Sequence, residues 1–216
     1  MINKLTDQSS IASQYLAELR HQKWQLNRFL FRNNLKRLGH LMAYEISKQL
    51  SYETKEIPTP LGKSNCLLLK DRIVLATILR AGLPLHEGLL QVFDQAENAY
   101  ISAFRKHDSE GNFMIDMPYL TCPNLDNKVL IISDPMVASG ASMHVVLEKL
   151  KNWGTPAAIH IVAVIAARQG ISYIEERHPD VKIWVGDIDP ELNSKSYIIP
   201  GLGDAGDLAF GEKLQK

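Results

Sequence analysis

The stretch Lys128-Val129-Leu130-Ile131-Ile132-Ser133-Asp134-Pro135-Met136-Val137-Ala138-Ser139-Gly140-Ala141-Ser142 decides the fold. The apolar run from Val129 to Ile132 suits a strand covered on both faces. A loop of small residues follows, and from Met143 to Trp153 the apolar positions take helical spacing, with Gly154 placed to end that helix at its C′ position. A buried strand, a short loop and a helix, in that order, are half of a right-handed crossover unit.

Working outward, the same alternation recurs. Ile73 to Leu79 reads as another buried strand, stopped by Arg80-Ala81-Gly82. Pro84 then opens a helical pattern through Leu85, Leu89, Val92 and Phe93, in a first turn where a missing N–H does no harm. Further strands are expected at Ala99 to Phe104, Ala157 to Ala167 and Val181 to Val185, with a helix at Ile171 to Arg177. Upstream, Phe31, Leu35, Leu38, Met42, Ile46 and Leu50 recur at three- and four-residue steps, so Leu26 to Leu50 reads as an amphipathic helix. Ile11 to Arg20 is a second, weaker helical segment. The pattern predicts one α/β domain over 1–216, built on a mainly parallel twisted sheet flanked by helices. Residues 1–25 are an N-terminal extension, Arg105 to Asn127 a small hood or hairpin excursion, and 190–211 a shaped C-terminal loop.

Open sheets of this kind bind ligands at the carboxyl ends of their strands, where Arg80, Arg105 and Asp134 fall. In the Asp134 loop, a carboxylate at the end of a strand can accept hydrogen bonds from sugar hydroxyls. Small residues then let backbone N–H groups approach an anion, and the following helix presents unpaired N–H groups at its positive end. Ser139 and Ser142 add hydroxyls. The same residues also suit an ordinary strand-to-helix turn with Ser142 as N-cap, and spacing alone does not choose between these readings. The second glycine-rich stretch, Tyr197-Ile-Ile-Pro-Gly-Leu-Gly-Asp-Ala-Gly-Asp207 with Phe210-Gly211, argues for a loop rather than a helix or central strand. Its backbone could read the edge of a small flat base, with Asp204 fixing an N–H; alternatively, it is a tail covering the core.

Bulk properties exclude several classes. Lysine plus arginine and aspartate plus glutamate number 24 each, so no net field favours nucleic acid or an anionic membrane. The longest apolar run, Ile159 to Ala167, is too short to span a bilayer. Met1 to Ser10 has no signal-peptide core. Cys66 and Cys122 are far apart and fit neither a disulfide framework nor a zinc site. A cytoplasmic protein without membrane or nucleic-acid partners is expected. His40, His86, His144, His160 and His178 show no metal-ligand spacing, and Trp24, Trp153 and Trp184 read as packing residues. The basic cluster Arg28, Arg32, Lys36 and Arg37 reads as a solvated helix face.

Asp134 to Ser142, DPMVASGAS, closely resembles the phosphoribosyl pyrophosphate (PRPP) loop of the uracil phosphoribosyltransferases, usually DPMLATGGS. Ser139 keeps the hydroxyl of the usual threonine, and Ala141 stands in place of a glycine. Pro135, where most phosphoribosyltransferases of this fold carry a second acid, marks the uracil branch. Tyr197 to Asp207, YIIPGLGDAGD, matches that family's uracil-binding loop residue for residue. Thr77 to Leu83 resembles its ILRAGL segment, and Phe104-Arg105 its YR pair, with Phe104 replacing tyrosine. The resemblance runs from about Phe31 to Gly211.

That resemblance implies the type I phosphoribosyltransferase fold and transfer of the phosphoribosyl group from PRPP to uracil, giving UMP and diphosphate. PRPP would be held by Arg80, Arg105, Asp134, Pro135, Met136, Val137, Ala138, Ser139, Gly140, Ala141, Ser142 and Asp204. Uracil would meet Ile198, Gly203, Asp204 and Ala205, and the chemistry would fall to Asp134, Arg105 and Asp204. It further implies Mg²⁺ held mainly by substrate rather than by protein side chains, GTP as an effector, and a homodimer or homotetramer. Two competing readings are transfer to a purine or orotate, and a non-catalytic regulator binding nucleotide or RNA. The base-binding loop disfavours the first; the nearly complete PRPP loop disfavours the second.

Overall fold

In the computed structural model, which describes residues 1–107 and 113–213, Val129–Ser133 is a strand buried at every residue. It lies inside a sheet whose members alternate with helices along the chain. The strands are β1 (Ile2–Lys4), β2 (Tyr52–Thr59), β3 (Gly62–Leu69), β4 (Ile73–Leu79), β5 (Glu97–His107) and β6 (Phe113–Thr121). They continue with β7 (Val129–Ser133), β8 (Met136–Val137), β9 (Ala158–Ala167), β10 (Lys182–Asp189), β11 (Glu191–Leu192) and β12 (Ile198–Ile199). The helices are α1 (Ile11–Arg20), α2 (Arg28–Ser47), α3 (Leu83–Leu90), α4 (Ala141–Leu150), α5 (Arg168–Arg177) and α6 (Ala205–Phe210).

The main sheet runs β1-β10-β9-β7-β4-β5-β6, with β8 paired to β9. All its pairings are parallel except β5 with β6. Successive residues of each strand alternate faces, so β4 and β7 feed two separate cores. Leu75 and Ile131 join Leu35, Leu38, Met42, Leu85 and Leu89 on the α2–α3 face. Val74 and Ile132 join Val146, Leu147, Ile174 and Val185 on the α4–α5 face. Coverage on both faces explains why these strands read as continuous apolar runs.

Of the expected excursion, Phe113–Thr121 forms β6, which pairs antiparallel with β5 at the edge of the main sheet. Several elements escaped the sequence reading, besides the two-residue strands β8, β11 and β12. The β2–β3 ribbon is mostly exposed on both sides, so it lacks the alternation that marks a half-buried strand. β1 lies within the presumed extension and pairs with β10 through three residues. The stretch from Tyr197 to Asp207, expected to be loop throughout, ends in α6, which starts because the Asp204 side chain caps it. Among the described residues, no helix is long and apolar enough to cross a membrane.

Candidate functional site

At the carboxyl end of β7 the chain leaves the sheet at Asp134, whose N–H donates to the Val162 carbonyl at 3.0 Å. The Pro135 carbonyl accepts from Val164 and Ile165 at 3.0 and 3.1 Å, and Met136 and Val137 pair with β9. This second anchorage holds the loop base rigidly against its neighbour strand. The loop then rises over Ala138 and Ser139 to Gly140, which caps α4 at φ 80°. Left-handed backbone suits glycine there, and a Cβ would sit 2.7 Å from the Gly170 carbonyl oxygen. Gly170 lies against Ala138 in turn, so two glycines let α5 press on the underside of the loop.

The loop encloses a cavity of about 60 Å³ lined by Asp134, Met136, Val137, Ala138, Ser139, Gly140, Ser142 and Met143. The ordinary-turn alternative placed Ser142 as helix N-cap; Gly140 takes that place, and Ser142 lines the cavity wall. Ser139 Oγ accepts from the Ala141 N–H at 3.4 Å. Ala141 is the first residue of α4 and is absent from the positive-φ residues of the described chain, so its backbone does not require glycine. Met136 N–H donates to Asp134 Oδ1 at 3.3 Å. That single bond does not offset desolvation: burial pushes the Asp134 carboxyl up to about 7.

Arg80 follows β4, which is hydrogen-bonded to β7, and the Leu79–Arg80 peptide is cis. Its Nη2 donates to Asp207 Oδ1 at 3.3 Å and to the Gly211 carbonyl at 3.1 Å, so the β4 turn meets the C-terminal helix. Arg105 lies on β5 opposite Ile115, and Phe104 opposite Asp116. Their side chains, and hence Arg105's expected grip on diphosphate, fall outside the described residues.

The second loop is built on β12, where Ile198 is buried and pairs with Leu192. The Ile199–Pro200 peptide is cis, and Gly201 and Gly203 take φ 62° and 94°. Asp204 Oδ1 accepts from the Asp207 N–H at 3.0 Å and its Oδ2 from Lys213 Nζ at 3.2 Å. Desolvation opposes ionisation of Asp204, but the Asp207 N–H and Lys213 outweigh it and hold the carboxyl below its usual range. A cavity of about 410 Å³ opens beside Gly203 and Asp204, towards Gln25, Leu26 and Arg28. Thus Arg80, the Asp134 loop and the Ile198–Ala205 loop converge at one end of the sheet.

Sequence reasoning missed the brace behind the second loop. Arg20 of α1 donates to both Asp189 oxygens at 2.8 and 2.7 Å and to the Gly201 carbonyl at 3.0 Å. Asp189 Oδ2 also accepts from the Gly201 N–H at 3.0 Å. No local signal marks Arg20, because its partners lie some 170–180 positions downstream. In the basic cluster, Arg28 and Arg37 are exposed as a solvated face requires, while Arg32 donates to the Ala209 carbonyl, Lys36 pairs with Glu87, and Arg37 bonds Asn34. His86 and His160 are structural, bonded to Asn98 and to the Trp184 indole. His144 and His178, by contrast, meet in space beside Glu148 despite their lack of sequence spacing. Trp24 is half exposed and stacks on His21 instead of joining the core.

Comparison with known proteins agrees with this geometry. The family model described as uracil phosphoribosyltransferase matches residues 6–212. A uracil phosphoribosyltransferase of Porphyromonas gingivalis is 48% identical over 95% of each chain. One from Pyrococcus furiosus is 41% identical over 97% of this chain and 90% of its own. A solved structure of an Aquifex aeolicus protein superposes with a TM-score of 0.88 at 35% identity, covering 100% of both chains. The chain belongs to the uracil phosphoribosyltransferase family.

Proposed function

We propose a division of labour for the family's reaction, in which uracil and PRPP give UMP and diphosphate. The observation that carries it is the anchored loop from Asp134 to Ser142, whose cavity joins one partly buried carboxylate to a helix N-terminus. The cavity between Val137 and Ser142 takes the 5′-phosphate, which the α4 N–H groups and the Ser139 and Ser142 hydroxyls can bind. Asp134 accepts from the ribose hydroxyls. Arg80 and Arg105 take the diphosphate, a task suited to guanidinium groups that stay charged and bind two oxygens at once. Ile198 and Gly203 to Ala205 contact uracil, and Asp204, held ionised, orients the base.

The bond at the anomeric carbon then breaks with oxocarbenium character, and the base nitrogen attacks. No protein nucleophile is required. Positioning and stabilisation of the departing diphosphate charge supply the rate. The one carboxylate on the cavity wall, Asp134, is a hard oxygen ligand, which fits a hard cation arriving with the substrate. Mg²⁺ carried mainly by PRPP would neutralise charge on the diphosphate. GTP activation and a homo-oligomeric state belong to the same proposal, as does a cytoplasmic location.

The test is formation of the corresponding mononucleotide with Mg²⁺, PRPP and, in turn, uracil, hypoxanthine or orotate. Uracil is expected to be the strongly preferred acceptor, and equal product from hypoxanthine would overturn the base assignment. Repeating the assay with EDTA, and with and without GTP alongside a sizing measurement, tests the remaining parts.

A further inference from the structure

Behind the PRPP loop, α4 and the end of α5 bring three metal-ligating side chains together. His144 and Glu148 are four residues apart on α4 and therefore share a face. His178 caps the end of α5. His144 Nδ1 and His178 Nε2 are 2.9 Å apart, and His178 Nε2 lies 3.9 Å from Glu148 Oε1. All three donor atoms fall within 4.8 Å of one another.

We propose that His144, Glu148 and His178 bind a borderline divalent cation of the Zn²⁺, Co²⁺ or Ni²⁺ class, at a site separate from the substrate-carried Mg²⁺. Two imidazoles and a carboxylate form a three-ligand set for such ions, with the remaining position open to water. Mg²⁺, which prefers oxygen donors, is excluded by the two nitrogens. Tetrahedral bonds of about 2.1 Å put the two nitrogens about 3.4 Å apart. The imidazoles therefore separate by a few tenths of an ångström, exchanging their mutual hydrogen bond for two metal bonds. Glu148 now pairs with Lys151 at 2.6 Å, an exposed contact three residues along the helix that costs little to release.

The site has a structural consequence. His144 N–H bonds to the Gly140 carbonyl, one turn into the helix that starts at the PRPP loop. Its ring also meets Tyr173 of α5 edge-on, with centroids 5.8 Å apart. A bound ion would fasten α4 to α5 directly behind the loop while leaving the cavity wall itself untouched.

The test is titration of the substrate-free full chain with Co²⁺, read by its visible absorption, and with Zn²⁺, read by calorimetry. One ion per chain is expected, and saturating Zn²⁺ should raise the thermal midpoint by about 5 °C. Glu148→Gln, at an exposed position, should weaken binding by about tenfold, and His144→Ala should abolish it. Circular dichroism confirms that each variant is folded. Absence of binding to the wild-type chain, or equal binding by wild type and both variants, overturns the proposal.

Discussion

Arg80 donates to the carboxylate of Asp207 at 3.3 Å, tying the turn after β4 to the helix that follows the base loop. The Arg80 side chain is 43% exposed, so as an ion pair this contact adds little stability, on the order of 0–1 kcal/mol. Its importance is positional. One guanidinium links the turn after β4 to α6, so under the proposed assignment of Arg80 to the diphosphate, binding there and the placement of α6 would be connected.

Arg80→Ala is expected to raise the KM for PRPP by about tenfold or more, the effect of losing a charged hydrogen-bonding partner. Arg80→Lys should recover little, because an ammonium lacks the two-pronged geometry. Asp207→Asn should disturb KM for both substrates mildly. Steady-state kinetics with each substrate varied in turn measures this; an unchanged PRPP KM in Arg80→Ala would remove that residue from the diphosphate site.

Asp134 carries the clearest pH signature. Its folded carboxyl titrates near 7, above the ordinary value, because burial disfavours the charge. The folded state thus binds a proton more tightly than the unfolded chain. Its stabilising effect is complete below about pH 4 and is lost as pH rises through about 7. Accepting ribose hydroxyls needs the ionised form, so kcat/KM for PRPP should rise across the same interval while stability falls. Denaturation midpoints and kinetics from pH 5 to 8 check both slopes. Asp134→Asn should flatten the stability slope; a slope unchanged in that variant would mean other groups cause it.

Gly140→Ala should destabilise the chain by about 1–3 kcal/mol and weaken PRPP binding, since φ 80° and the Gly170 carbonyl both oppose a Cβ. Ala141→Gly, which restores the family's usual residue, should behave oppositely from what a tight-loop reading suggests. Ala141 is already helical, so glycine there should cost about 0.5–1 kcal/mol and leave PRPP affinity nearly unchanged. Thermal melts and PRPP titrations of both variants decide the point.

Arg20→Ala should loosen the base loop without touching substrate. Asp189, which is 3% exposed, would be left buried and short of its cation, at a cost of about 2–3 kcal/mol. The expected kinetic mark is a raised KM for uracil with PRPP KM little altered. Equal change in both constants would mean a general loss of fold instead.

The helices and strands around Asp134 were legible because buried parallel strands announce themselves as apolar runs and helices by their spacing. The Asp134 loop was legible as a candidate anion site, yet its choice of Gly140 over Ser142 as helix cap was not, since that choice depends on α5 pressing from below. The exposed β2–β3 ribbon gave no pattern to read. Arg20 with Asp189, and His144 with His178, escaped for one shared reason: each pair is made by the folded chain from residues distant in sequence. The proposed base-binding role of Tyr197 to Asp207 was legible only through resemblance to a family, because a glycine-rich stretch by itself fits a tail equally well.

Asp134 holds the central place in the proposed site, so the most direct measurement is UMP formation from uracil and PRPP by Asp134→Asn beside the wild-type enzyme. Turnover should fall by about a hundredfold or more, with circular dichroism and thermal melting showing an intact fold. Turnover within about twofold of wild type would contradict the assignment of the ribose to that carboxylate.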